Sequence, residues 1–423
     1  MKTKNLLFSF MIIVIGLIIV GCSGSSNQET DGQEIDSGGQ TTKLSFLSWD
    51  NAEAMRPLLE GFQEAHPNIE IEFSNAPPVT EYISRLQTRL LSNSASDIFI
   101  MAAENRNELI DGNFVYDLTD EDFMNVIGDI NKSTYSKDER VFAMSVASWG
   151  GGIVYNKRLF EEAGIEKEPE TWEEFIQICE QLQQAGITPV YDSIQDDLSL
   201  FFAGLVGAEV IHENPNFDEE VFNGERTFSE EWTKVTELYY ELFEKGILDQ
   251  NVLGINPEQV LEAFTREEVA MFLTGPWTIP TIENGNPDLD FHFMAIPGSE
   301  KGTSFFGGAA SPGFAINKET ENLDAALTFL EYIASPEGLE KYHEGTGAII
   351  TAQGFEPAIH PALEDVYVGL SENRYYLPMI SWVRHQEALR KDLVVAIHEL
   401  VLGSRTPAEV AERLDERLRE IEG

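Results

Sequence analysis

Catalysis needs nucleophiles, acids, bases or metal ligands at fixed spacings, and this chain offers few such sets. It has no G-x-S-x-G elbow, no phosphate-binding P-loop and no H-E-x-x-H zinc motif. His398-Glu399 lacks the second histidine of a zinc pair, and His212, His343 and His360 sit in loop-like sequence. The 73 Asp and Glu residues guarantee chance carboxylate pairs, but nothing selects the two that glycoside hydrolysis would need. Cys22 and Cys179 form neither a disulfide framework nor a thiol-rich metal site. Cys179 lies in the apolar helical run 175–179 and reads as a buried thiol. The remaining candidates are indoles beside carboxylates, amides and glycines: Trp49-Asp50-Asn51, Trp149-Gly150-Gly151-Gly152 and Gly275-Pro276-Trp277. No metal and no cofactor is expected.

These residues sit where strands are expected to end. Residues 44–49 read as a strand closed by the polar turn Asp50-Asn51. Leu58, Leu59, Phe62 and Ala65 follow at helical spacing, and Pro67-Asn68 stops that helix. Ile69, Ile71 and Phe73 alternate as a half-exposed strand, Ile83, Leu86 and Leu90 mark a second helix, and 97–101 is a short apolar strand. This rhythm implies a largely parallel sheet, in which ligands bind beyond the carboxyl ends of the strands. Glu104 and Asn105 follow the third strand; Asp97 opens it. The glycines at 150–152 permit a change of strand direction or a crossing between lobes. Thr171-Trp172-Glu173-Glu174 is a capping box for a helix to Gln184. Further helices are expected at 229–245, 258–265, 323–334, 337–343 and 382–402, with a last one capped at Thr406. Strands are expected at 269–273 and 291–296, with Gly275-Pro276-Trp277 as the turn after the first of these. Residues 304–313 are glycine-rich, and no internal repeat is present.

A length of 423 residues predicts two domains, and 42% hydrophobic content supplies two cores and argues against a disordered chain. A formal net charge of −45 repels phosphates and excludes nucleic acid as a partner. At the N-terminus, Lys2 and Lys4 precede an apolar run from Leu6 to Val20, shorter than the roughly 20 residues of a membrane span. Gly21-Cys22 and the small polar residues after it resemble the lipobox of bacterial lipoproteins, with Ile19 in place of the commoner Leu. That resemblance implies a signal peptide at 1–21, acylation of Cys22 and attachment to the outer side of the cytoplasmic membrane. Residues 22–42, rich in Ser, Gly, Gln and acids, read as a flexible tether.

Several ordered segments resemble a known family: Glu60-Gly61-Phe62-Gln63-Glu64-Ala65-His66-Pro67-Asn68-Ile69, then Leu91-Ser92-Asn93-Ser94-Ala95-Ser96-Asp97-Ile98 with Ser96 in place of the usual proline, then 109–119. The strongest is Val154-Tyr155-Asn156-Lys157-Arg158-Leu159-Phe160-Glu161-Glu162-Ala163-Gly164 leading to Thr171-Trp172-Glu173-Glu174-Phe175. Residues 270–277, 325–330 and 344–349 complete the set. Together they resemble the extracellular solute-binding proteins of bacterial ABC importers, in the carbohydrate-binding group, over about residues 44–420. The resemblance implies an α/β fold of two periplasmic-binding-protein-like lobes, each a mostly parallel sheet flanked by helices, with the ligand cleft between them. Lobe 1 is expected at 43–150 and 304–350, and lobe 2 at 151–303 and 351–423. It further implies no enzyme activity, a monomer, and delivery of a carbohydrate to an ABC permease on separate chains.

A sugar offers hydroxyls at its edge and apolar C–H faces, so carboxylates, amides and aromatic rings bind it. The resemblance places a stacking aromatic at Trp277 and a hydroxyl acceptor at Asp97. Asp50, Asn51, Trp49, Trp149, Glu104 and Asn105 are the further rim candidates. Phe305, Phe306 and Gly307 are candidates on the second crossing, and Trp382 and Arg384 near the last. Each has a plainer reading as a turn or core residue, and for Trp172 and Trp232 packing is the expected role. A surface glycosidase, a receptor of the same fold for a non-sugar solute, and a sensor presenting sugar to a membrane kinase are the alternative functions.

Overall fold

A computed structural model describes residues 41–76, 79–194, 198–356 and 358–423. The expected signal, Cys22 and nearly all of the tether lie outside them. Thr42, the last residue of the expected tether, instead opens the first strand. In chain order the strands are β1 (Thr42–Ser48), β2 (Ile69–Asn75), β3 (Ile98–Met101), β4 (Ser136–Lys137), β5 (Arg140–Val141), β6 (Ala147–Asn156) and β7 (Val190–Tyr191). They continue as β8 (Met271–Thr274), β9 (Phe291–Met294), β10 (Phe306–Ala310), β11 (Gly313–Ile316), β12 (Ile349–Ile350) and β13 (Tyr375–Tyr376).

The molecule is a two-lobed α/β structure with one main sheet in each lobe. The first sheet has the order β11-β3-β1-β2. Its β1, β2 and β3 run parallel, Phe46 standing beside Phe73 and Ile98. Helices Ala52–Ala65 and Val79–Leu91 supply the crossovers that parallel pairing requires. Asn51 starts the first of these, its Oδ1 accepting from the Glu53 and Ala54 N–H groups at 2.9 and 3.0 Å. The parallel carboxyl ends thus place Trp49 and Glu104 on one rim.

The second sheet, of order β13-β10-β6-β8-β7 with β9 and β12 also on β6, is mixed rather than mostly parallel. The reason is β6, which runs antiparallel to β8, β9, β10 and β12. Its start lies among three neighbouring segments that pass between the sheets. Met144 and Phe314 exchange backbone bonds of 2.9 and 2.8 Å, and Thr351 N–H donates to the Val146 carbonyl at 3.0 Å. Within the β6–β10 pair, Gly150 faces Gly308 and Gly151 faces Gly307. A Cβ at Gly151 or Gly307 would stand 2.8 or 2.6 Å from a methyl of Leu200. The bare pair therefore lets helix Leu200–Val206 lie directly on the crossing strands.

Two expected helices are displaced. The C-terminal one begins at Gln386 rather than 382, because His385 takes a left-handed φ of 60° that no helix tolerates. The helix expected at 337–343 runs over Pro336–Thr346 and ends at Gly347, φ 67°, so His343 is helical and not in a loop. Helices Gln386–Val401 and Pro407–Glu422 pack with Phe228–Glu244. Their junction buries Trp232 and Trp382, stacked with centroids 6.2 Å apart.

Candidate ligand-binding site

Between the two sheets lies a cleft of about 870 Å³, within the roughly 300–1,000 Å³ typical of small-molecule sites. The first sheet's rim contributes Trp49, Asp50 and Glu104, the crossing segments Ser148, Trp149, Ser311 and Pro312, and the turn after β8 Pro276 and Trp277. Five sequence-expected residues are therefore brought together: Trp49, Asp50, Glu104, Trp149 and Trp277. A hollow of similar size, about 860 Å³, runs along the edge strand β7 and the 246–255 segment. It holds none of the expected residues and no tryptophan, so the cleft is the better site for a ligand with apolar faces.

Each wall has a local cause. Trp49 follows β1 and meets Tyr82 edge-on, centroids 5.5 Å apart at 83°; the Tyr82 hydroxyl donates to the Ile100 carbonyl at 2.7 Å. Asp50 is held by its own turn, its N–H donating to Ser48 Oγ at 3.0 Å. Burial pushes its carboxyl above the usual range, and the Ser48 hydroxyl offsets part of this. Trp149 comes from β6, and Trp277 from the Pro276–Thr278 turn, where Thr278 Oγ1 donates to the Gly275 carbonyl at 3.0 Å. The two indoles stand at 70° with centroids 5.6 Å apart, and Trp277 is 60% exposed, an unusual state for a large ring. Trp277 also borders a side cavity of about 400 Å³ lined by Ser193, Thr274 and Thr281.

The far side of the cleft was not expected from sequence. Segment 358–363 is held at Ala358 and at His360. His343 Nε2 lies 3.1 Å from the Ala358 carbonyl, and its Nδ1 lies 2.9 Å from that of Ala348. His360 Nδ1 accepts from the Ala362 N–H at 3.1 Å, which leaves Nε2–H to donate to Glu283 at 3.1 Å. Phe291 stacks on the same imidazole. Tyr342, Thr346 and Ile359 complete this side. The segment 344–349 carried a sequence signal through the family resemblance; His360 carried none, because its role depends on Glu283 and Phe291.

The other expected residues lie elsewhere. Asp97 stands at the amino end of β3, away from the rim. Its Oδ2 accepts from Ser45 N–H and Oγ at 2.8 and 2.6 Å, and its Oδ1 from Thr320 Oγ1 at 2.6 Å. Burial raises its pKa, but the bonds from Ser45, Thr320 and Asn322 outweigh that and hold it below the usual range. Asn51 is spent on the helix cap. Asn105 is buried beneath the rim, its amide meeting no partner among the described residues. Phe305 and Phe306 are buried against Gly207 and Gly152, and Gly307 lies under Leu200. Trp382 is fully buried among Phe228 and Trp232, and Arg384 is on the outer surface, bonded to Glu422 at 2.6 Å and over Phe222. Trp172 and Trp232 are core residues, as expected; Trp172 Nε1 donates to Glu241 at 3.0 Å.

Comparison with known proteins adds an independent line. The family model described as bacterial extracellular solute-binding protein matches residues 48–340. The multiple sugar-binding protein of Streptococcus mutans is 22% identical over 311 residues, 71% of this chain and 72% of that protein. The structure of a family 1 extracellular solute-binding protein from Bifidobacterium longum subsp. infantis is similar with a TM-score of 0.80 and 26% identity, over 90% of this chain and all of that one. A Bacillus licheniformis sugar transporter in complex with stachyose shares the fold, with a TM-score of 0.66 and 21% identity over 89% of this chain and 100% of that chain.

Proposed function

The chain belongs to the bacterial extracellular solute-binding protein family, and on that premise we propose that it captures a neutral sugar or oligosaccharide in the tryptophan-walled cleft and presents it to an ABC import permease. The carrying observation is the composition of that cleft. Two indoles at 70° offer flat apolar surfaces beside the carboxylates of Asp50 and Glu104, and no lysine or arginine lines it among the described residues. Stacking faces suit pyranose C–H surfaces, and carboxylates accept hydroxyl protons. A phosphorylated solute would need cations there. The Streptococcus mutans and Bacillus licheniformis relatives, by their names and bound ligand, point to sugars as well.

In this reading Trp277 and Trp149 stack on the sugar, and Trp49, Asp50 and Glu104 hold its near edge. The lobes that close are those built on the two sheets, near the expected bounds of 43–150 with 304–350 and 151–303 with 351–423 except that β10 goes with the second, and they turn where the segments around Met144, Phe314 and Thr351 pass between the sheets. Cys22 carries the lipid that keeps this monomeric receptor at the membrane. A thermal-shift panel of mono- to tetrasaccharides, stachyose included, tests the function, since a ligand that binds only the native state raises the melting temperature. Stabilisation by sugar phosphates and by no neutral sugar would overturn it.

A further inference from the structure

Gly275 has an extended backbone, φ −123° and ψ −176°, which any residue adopts, so its conformation does not call for glycine. The neighbouring ring does. A Cβ built on Gly275 would stand 2.7 Å from Cε3 of Trp277 and closer still to Cζ3 and Cη2. Three consecutive ring atoms lie so near that the added carbon would sit over the ring face rather than beyond its edge. The benzo ring of Trp277 is therefore laid on the bare α-carbon of Gly275, while the Thr278 N–H and Oγ1 hold the Gly275 carbonyl at 3.3 and 3.0 Å. One ring face is seated on backbone, and the indole is fixed as the shared wall of the cleft and the 400 Å³ side cavity.

We infer that Gly275 is the positioning residue of the binding site: it seats the Trp277 indole in the one orientation that stands at 70° to Trp149, and any side chain at 275 displaces it. This rests on the reading of Trp277 as the stacking surface. It makes residue 275, which touches no ligand itself, a determinant of what the cleft accepts.

Two measurements test it. Indoles 5.6 Å apart couple their transitions and produce an exciton couplet in far-ultraviolet circular dichroism. Trp232 and Trp382 form a second close pair, so the couplet of Trp149 and Trp277 is read as the difference between the wild-type and Trp277→Phe spectra, and it should be lost or inverted in Gly275→Ala without any sugar present. An unchanged couplet in Gly275→Ala overturns the inference. The second measurement titrates stachyose. Gly275→Ala should lose affinity by the same factor as Trp277→Ala, and the double variant should lose no more than Trp277→Ala alone, because both changes remove one surface. Independent, additive losses overturn the inference. Should Gly275→Ala fail to fold, the double variant Gly275→Ala/Trp277→Ala should melt with Trp277→Ala; if it also fails, the ring is not what excludes a side chain. If no neutral sugar binds the wild type, the proposed function falls, and the couplet still decides the role of Gly275.

Discussion

The indoles of Trp149 and Trp277 meet at 70°, centroids 5.6 Å apart, although one comes from a crossing strand and the other from a turn of the second sheet. Such edge-to-face pairs contribute about 0.5–1.5 kcal/mol beyond the area they bury. The contact ties the position of the Trp277 ring to β6, whose start adjoins the segments that pass between the sheets. A ligand pressed on Trp277 therefore bears on β6 as well.

Trp149→Ala and Trp172→Ala should separate binding from stability. Trp172 is buried beside Phe175 and Phe201, and its loss should cost about 3–5 kcal/mol in denaturant unfolding with sugar affinity unchanged. Trp149→Ala should weaken sugar binding at least about tenfold, or 1.4 kcal/mol. Calorimetry and urea melts on the pair suffice. The reverse pattern would move the site away from the cleft.

Asp97→Ala should behave as a stability variant. Its carboxylate gathers Ser45, Thr320 and Asn322, and removing it should cost about 1–3 kcal/mol with no change in sugar affinity. The folded pKa is held below the unfolded value of 3.8, so this stabilisation is present above that value and is lost as pH falls through the folded pKa. The melting temperatures of wild type and variant should then converge in acid. A loss of affinity from Asp97→Ala would restore it as a ligand contact.

Asp192 shows the opposite sign. Burial pushes its carboxyl up to about 7, with the Ser199 hydroxyl and the Ser193 N–H offsetting part of the effect. A folded pKa above the unfolded 3.8 stabilises fully below about pH 4, and that contribution is lost as pH rises through about 7. Asp192→Asn keeps an acceptor for the Ser193 N–H and removes the buried charge. Relative to wild type it should gain melting temperature at pH 8 and gain little at pH 4. A difference independent of pH would contradict the assignment.

Cys22→Ser tests the anchor. The variant should appear in the medium or remain unprocessed, as followed by fractionation and mass spectrometry. A variant cleaved after Gly21 that still sediments with membranes would exclude lipid as its tether.

Much of the architecture was legible because period-2 and period-3.6 patterns in the first lobe are clean: Ile69, Ile71 and Phe73 alternate, and Leu58, Phe62 and Ala65 recur at helical steps. The rim residues Trp49, Asp50 and Glu104 were legible through one rule, that parallel strands offer their carboxyl ends. The same rule does not apply to Asp97, which lies at the amino end of β3, four residues before Met101 closes it. Trp382 looked like a cleft residue because an indole near a turn carries no sign of its tertiary neighbours; the helix Phe228–Glu244, some 150 positions earlier, covers it. The mixed second sheet was hidden for a related reason. Strand direction is set by how β6 crosses, and no local pattern in 147–156 encodes it. His360 was missed because a histidine gains its orientation from partners far along the chain.

The most direct test of a sugar-stacking cleft is a calorimetric titration of the best sugar from the panel into wild type and Trp277→Ala. Loss of the ring's apolar area and aromatic contact should cost about 2–4 kcal/mol of binding, on the order of 30- to 1000-fold in dissociation constant. The ring is 60% exposed, so the unliganded variant should melt close to wild type. Wild-type affinity in Trp277→Ala would contradict the account.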